Sequence, residues 1–155
     1  LKVFQDNLIA GKTAVVTGGT SGICLTVAER LAAQGAQVVL VGRKQEKLDA
    51  AVAGITTKGG KAIGFSADVR DYAAIENVMK QTADKFKAID ILVCGAAGNF
   101  PAPAIGMSAN AFKAVIDIDI LGTFNASRAA YEFLRKPGAS VINIGAPQAL
   151  NPMAF

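Results

Sequence analysis

The chain has 155 residues, 52% of them hydrophobic and 18% charged, with a net charge of +4 at pH 7. That size suits one domain with a buried core, and the balance excludes a disordered chain. The basic residues are scattered rather than gathered into a stripe with interleaved aromatics, which argues against nucleic-acid binding, and no apolar run is long enough to span a bilayer.

Histidine is absent, so Ser-His-Asp catalysis and most catalytic zinc sites are excluded within this segment. The two cysteines, Cys24 and Cys94, are too few for a disulfide scaffold or a Cys-based zinc site. Leu1–Ala10 has no basic stretch followed by an apolar one, so it does not read as a secretory signal. A soluble cytoplasmic protein is expected.

In chain order, Thr13–Thr17 (TAVVT) is a β-branched apolar run, the pattern of a strand buried on both faces. The glycine-rich Gly18–Gly22 follows, then a helical period over Ile23–Gln34 that ends at Gly35. Gln37–Val41 is a second buried strand, and Lys44–Lys58 an amphipathic helix closed by Gly59 and Gly60. Lys61–Ser66 is a third strand, and Asp71 caps a helix running to about Lys87. Asp90–Val93 is a fourth strand. A loop with Gly and Pro leads to Ser108, which opens one long helix from Ala109 to Arg135. Pro137 and Gly138 end it, Ser140–Ile144 is a fifth strand, and the tail Gly145–Phe155 is not expected to add another. Strands alternating with helices of this length predict an α/β fold: a Rossmann-type doubly wound parallel sheet, helices on both faces, in strand order 3-2-1-4-5. Residues 1–155 are expected to form a single Rossmann domain that lacks its C-terminal strands and helices. A flavodoxin-like flavin or nucleotide binder also has five such strands.

The glycine loop sits between the first strand and the first helix. There, glycines let the backbone approach a pyrophosphate, and the helix N-terminus offers free N–H groups. At the end of the second strand, Gly42-Arg43-Lys44 replaces the acidic residue that would bind the ribose hydroxyls of NAD. The Arg43 guanidinium can make paired hydrogen bonds to a 2′-phosphate, and Lys44 adds charge. NADP(H) is therefore the expected cofactor.

The loop resembles that of the short-chain dehydrogenase/reductase family, TGxxxGxG, at Thr17, Gly18 and Gly22. The resemblance implies cofactor contacts from Gly18, Ser21, Gly22 and Ile23, and from Asp68 and Val69 against the adenine. The family's last loop glycine is Cys24 here; its side chain must be accommodated by a small shift or weaken the pocket. After the fourth strand the family's Asn-Asn-Ala-Gly reads Cys94-Gly95-Ala96-Ala97-Gly98-Asn99-Phe100. The extra alanine, the Asn-Phe pair and the run Asn110–Asn125 resemble the 2,4-dienoyl-CoA reductase branch, especially its peroxisomal type. That resemblance places Ala96, Ala97 and Gly98 beside the cofactor and Asn99 and Phe100 along the substrate.

It also puts Asp119 at the family's catalytic asparagine, where this branch uses an aspartate for proton transfer. Asp117 lies about 200° away on a regular helix and is expected to face solvent or an ion-pair partner. Ala146 occupies the place of the family's carbonyl-polarising serine, and this branch lacks that serine too. The implied reaction is reduction of a 2,4-dienoyl-CoA, or a similar enoyl thioester, by NADPH. A ketone or 3-oxoacyl reductase, or a catalytically silent NADP(H) binder, remains an alternative. The family pattern continues beyond Phe155 with a catalytic lysine, a tyrosine where present and a sixth strand, so this segment alone is expected to be inactive. It further implies an acyl-CoA-type substrate, a homotetramer and, in a eukaryote, a peroxisomal location. Cys24 and Cys94 are read as lying at the ends of neighbouring strands, where their thiols could approach each other, but are expected to pack separately without a disulfide.

Overall fold

The computed structural model describes residues 5, 7–100 and 102–146. Leu1–Phe4 and Asp6 of the leading segment, and the tail from Pro147 onward, lie outside them. β1 (Thr13–Thr17) is buried along its whole length between β2 (Gln37–Gly42) and β4 (Ile91–Cys94). β3 (Lys61–Ser66) pairs with β2 and β5 (Ser140–Asn143) with β4, all parallel, in the order 3-2-1-4-5 expected from the alternation of elements. Strand order reverses at β1, and it is at such a switch point that a crevice opens beyond the carboxyl ends of the strands.

The pleat divides the core by residue parity. Ala14 and Val16, Val38 and Leu40, and Val93 face one side, where α1 (Gly22–Ala33) supplies Ala28 and Ala32, and α2 (Gln45–Thr57) supplies Leu48 and Ile55. Val15, Val39, Val41, Leu92 and Cys94 face the other side. There α3 (Tyr72–Phe86) brings Ile75, Val78 and Met79 at helical spacing, and α5 (Gly122–Ala130) brings Ala126, Ala129 and Ala130. Asp71 caps α3 by accepting the Ala74 N–H at 3.1 Å, as its place in the sequence predicts. Cys24 of α1 and Cys94 of β4 lie in the cores on opposite faces of the sheet, both as free thiols. Each thiol has its own partner, the Gly95 carbonyl for Cys24 and the Ser127 hydroxyl for Cys94.

The long helix departs from expectation. α4 (Ala109–Val115) gives way to a π-helical turn at Ile116–Leu121, then α5, then a 3₁₀ turn at Tyr131–Phe133. Side-chain spacing does not reveal an inserted turn of this kind. Two tertiary contacts are made there: Asp119 within the turn reaches out to a loop, and Gly122 just after it lies so close to Val69 that a Cβ there would sit 2.5 Å from Val69 Cγ2.

Asp90 anchors the opposite, amino-terminal edge of the sheet. Its side chain, 3% exposed, accepts the Thr13 N–H at 3.0 Å and Lys12 Nζ at 3.1 Å, and takes a close contact from Arg135 Nε. Burial alone would raise this carboxyl, but Arg135, the Thr13 N–H and Lys12 outweigh burial and hold it below the usual carboxylate range. A carboxyl that loses its proton more readily when folded stabilises the fold fully above its unfolded value of about 3.9. That stability is lost as pH falls through the lower folded value. Asp90→Ala is expected to cost about 2–4 kcal/mol in urea unfolding at neutral pH, because a buried N–H and two cations lose their acceptor. The difference from wild type should shrink as pH is lowered through the acid range.

Candidate functional site

The loops leaving β1, β2, β3 and β4 enclose a cleft of about 450 Å³ beyond the carboxyl edge of the sheet. Its floor begins where the chain leaves β1. Gly18, at φ +69°, turns the backbone so close to Ala96 that a Cβ would lie 2.8 Å from the Ala96 backbone. Thr17 Oγ1 holds the two loops together by accepting the N–H groups of Gly95 at 3.1 Å and Ala96 at 3.3 Å. α1 then starts at Gly22, φ +57°, with open space where a Cβ would stand. Ser21, its N-cap, makes no side-chain cap, so the helix points uncapped N–H groups toward the cleft.

Of the residues singled out from the sequence, Gly18, Ser21, Ile23, Arg43, Lys44, Asp68, Val69, Ala96 and Ala97 line this one cleft. Gly22 and Gly98 do not line it but shape the loops that do. Asn99 and Phe100 lie outside it and are exposed, Phe100 by 48%. Arg43, Lys44 and Lys47 are exposed along one end and make no salt bridge among the described residues. The neutral Gly42 lets Thr20 pack against β2, since a Cβ there would stand 2.8 Å from Thr20 Cγ2.

Asp68 is more constrained than its motif suggests. Its carboxylate is gripped by Arg70, Nε at 3.0 Å and Nη2 at 2.6 Å, and accepts the Arg70 N–H at 3.0 Å. Arg70 holds the Asp68 carboxyl below its ordinary value, with a smaller contribution from the Arg43 charge. Val69 is fixed from the other side: Asn125 Nδ2 donates to its carbonyl at 2.9 Å, and Gly122 leaves room for its side chain. Sequence reasoning missed this brace. Its signal was present in Gly122-Thr123-Phe124-Asn125, but only the fold shows what the glycine and asparagine touch.

Asp119 also does not line the cleft. Its Oδ1 accepts the Gly98 N–H at 2.8 Å, which ties the loop after β4 to the π turn, while Ile118 from the same turn does line the cleft. Asp117 instead pairs with Lys113 at 2.5 Å, one helical turn away. Thr20 and Gly95, within the two loop motifs, and Lys47, Ile118 and Ile144, outside any motif, also line the cleft.

A model of the short chain dehydrogenase family matches residues 12–155. The chain is 39% identical over 147 residues to a peroxisomal 2,4-dienoyl-CoA reductase [(3E)-enoyl-CoA-producing] of Saccharomyces cerevisiae, covering 92% of this chain and 50% of that protein. It is 42% identical over 146 residues to the protein of the same name from Rattus norvegicus, covering 93% and 50%. Among solved structures, a short chain dehydrogenase from Burkholderia cenocepacia in complex with NADP superposes with a TM-score of 0.87 at 33% identity, covering 94% of this chain and 60% of that one. The chain spans about half the length of the curated relatives it matches.

The Asp119–Gly98 contact is open to direct measurement. Asp119→Ala leaves the Gly98 N–H without its acceptor, so amide exchange at Gly98 is expected to speed up about five- to tenfold, with a stability loss of about 1 kcal/mol. Asp119→Asn keeps an Oδ1 acceptor and should retain most of the protection in the same hydrogen-exchange experiment.

Proposed function

Because the chain belongs to the short-chain dehydrogenase family, we propose that it forms the NADP(H)-binding part of a reductase acting on 2,4-dienoyl-CoA or a similar enoyl thioester. One observation carries the cofactor half: the cleft combines an uncapped helix N-terminus with Arg43, Lys44 and Lys47 at one end, and no carboxylate stands at the end of β2. The substrate half rests on identity to the curated dienoyl-CoA reductases and on Asp119 and Ala146.

When bound, NADPH would supply the hydride. The N–H groups at the start of α1 receive the pyrophosphate, and Gly22 leaves space for it. Arg43, which can donate paired hydrogen bonds, would hold the 2′-phosphate, with Lys44 and Lys47 adding charge. Asp68, Val69, Ala96, Ala97 and Gly98 shape the adenosine side, and the small side chains of the alanines permit close approach. Asp119 holds the Gly98 N–H through Oδ1 and is assigned, through Oδ2, the proton that the substrate takes up after hydride addition to its conjugated diene, leaving an unconjugated 3-enoyl thioester. The exposed Asn99 and Phe100 face the CoA and acyl chain. At Ala146 a methyl stands where a hydroxyl would bond a carbonyl oxygen, which disfavours ordinary ketone reduction.

Phe112, Ile120, Phe124 and Tyr131 along α4–α5 are exposed by 58%, 62%, 58% and 57%, an apolar run suited to a second copy in a homo-oligomer. Among the described residues no helix is long and apolar enough to cross a membrane. The names of the curated relatives favour the peroxisome if the chain is eukaryotic.

Titration should give tighter binding of NADPH than of NADH. Arg43→Ala is expected to weaken NADPH binding about ten- to a hundredfold while changing NADH little, since only the charged 2′-phosphate loses a partner. Equal affinity for the two cofactors in the wild type would overturn the cofactor assignment. The full-length enzyme should oxidise NADPH with a 2,4-dienoyl-CoA faster than with a 3-oxoacyl thioester, and the reverse order would overturn the substrate assignment.

A further inference from the structure

We infer that Cys24 and Gly95 form a size-exchanged pair in the floor of the cleft, and that together they position the loop after β4 for the cofactor. The positioning role rests on the cofactor reading above; the packing does not.

Residue 24 is where the family loop has its last glycine, and residue 95 is where Asn-Asn-Ala-Gly has its second asparagine. Both departures point at one spot. A Cβ on residue 95 would overlap the Cys24 sulfur, and would also come within 3.4 Å of Ile144 Cγ1 and 3.5 Å of the Thr17 carbonyl oxygen. The side-chain volume absent at 95 is thus occupied from 24. Cys24 is 5% exposed, and its Sγ donates to the Gly95 carbonyl at 3.6 Å. A thiol swung aside to admit a side chain at 95 would give up that hydrogen bond. The neighbouring atoms are themselves committed, because the Gly95 and Ala96 N–H groups bond Thr17 Oγ1 and Gly18 lies against the Ala96 backbone.

Both residues line the cleft. A group added at 95 therefore pushes on the contact that sets how closely the two loops approach, and hence on the space available to a dinucleotide. Either change alone is mismatched: Gly95→Ala overfills the spot, whereas Cys24→Gly empties it and removes a donor. The double change restores the family's small residue at 24 and refills the space from 95.

The test is a four-protein cycle of wild type, Gly95→Ala, Cys24→Gly and the double variant, read by melting temperature without ligand and by NADPH titration. Gly95→Ala is expected to lower both stability and NADPH affinity, the affinity by roughly tenfold or more, and the double variant to recover most of both losses. If Gly95→Ala does not fold but the double variant folds and binds NADPH, that rescue supports the pair. Additive effects, a double variant as impaired as Gly95→Ala, or recovery of stability with no change in affinity anywhere in the cycle would overturn it. A wild-type chain that binds no NADPH would overturn the positioning role together with the cofactor reading. Failure of the pair alone looks different, because the wild type then binds and the variants do not couple.

Discussion

The Thr17 hydroxyl accepts two backbone N–H groups from the loop after β4, and beside it Gly18 lies in contact with the Ala96 backbone. Parallel strands 1 and 4 are neighbours, so their carboxyl-terminal loops leave the sheet side by side and must either diverge or touch. Here they touch, and the touching backbone is the floor from which the cleft is built. Everything above that floor depends on small residues: glycine at 18 and 95, alanine at 96 and 97. A Cβ at 18 would meet the Ala96 backbone at 2.8 Å, and one at 95 would overlap the Cys24 sulfur, so either addition alone presses on the contact between the two loops.

The two ends of the sheet are electrostatically opposite in design. At the amino edge, Asp90 is buried and gathers Lys12 and Arg135 around it, which ties β1, β4 and the chain before β5 into one joint. At the carboxyl edge the only carboxylate lining the cleft among the described residues is that of Asp68, and Arg70 already holds it in a two-pronged contact. Arg43, Lys44 and Lys47 are left to set the local field, which favours an anion. The helix N-terminus adds to it through its aligned peptide dipoles.

The second support comes from the far side of the sheet. Gly122 and Asn125 of α5 pin Val69, and Asp119 of the π turn pins Gly98, so one interrupted helix steadies two loops that sequence separates widely. An uninterrupted helix would not turn Asp119 and Gly122 in the same relation. The π turn is thus part of how the rim of the cleft is held.

Strand and helix positions were legible in the sequence because they follow from local pattern: β-branched runs buried on both faces, helical spacing, and caps at Asp71 and Ser108. The glycine loop and Arg43 were legible for a similar reason, since their meaning depends on the strand that precedes them. The rest required long-range contact. Helical spacing set Asp117, one turn from Lys113, apart from Asp119, but nothing local says that Asp119 braces Gly98 or signals a π turn inside a helical period. Cys24 and Gly95 are 71 positions apart, and each alone reads as a departure from a family motif. Sequence by itself determined the order of elements, the parallel sheet and the chemistry offered at the strand ends. Tertiary structure alone decided which residues share a space, because excluded volume acts between atoms that folding brings together, whatever their separation along the chain.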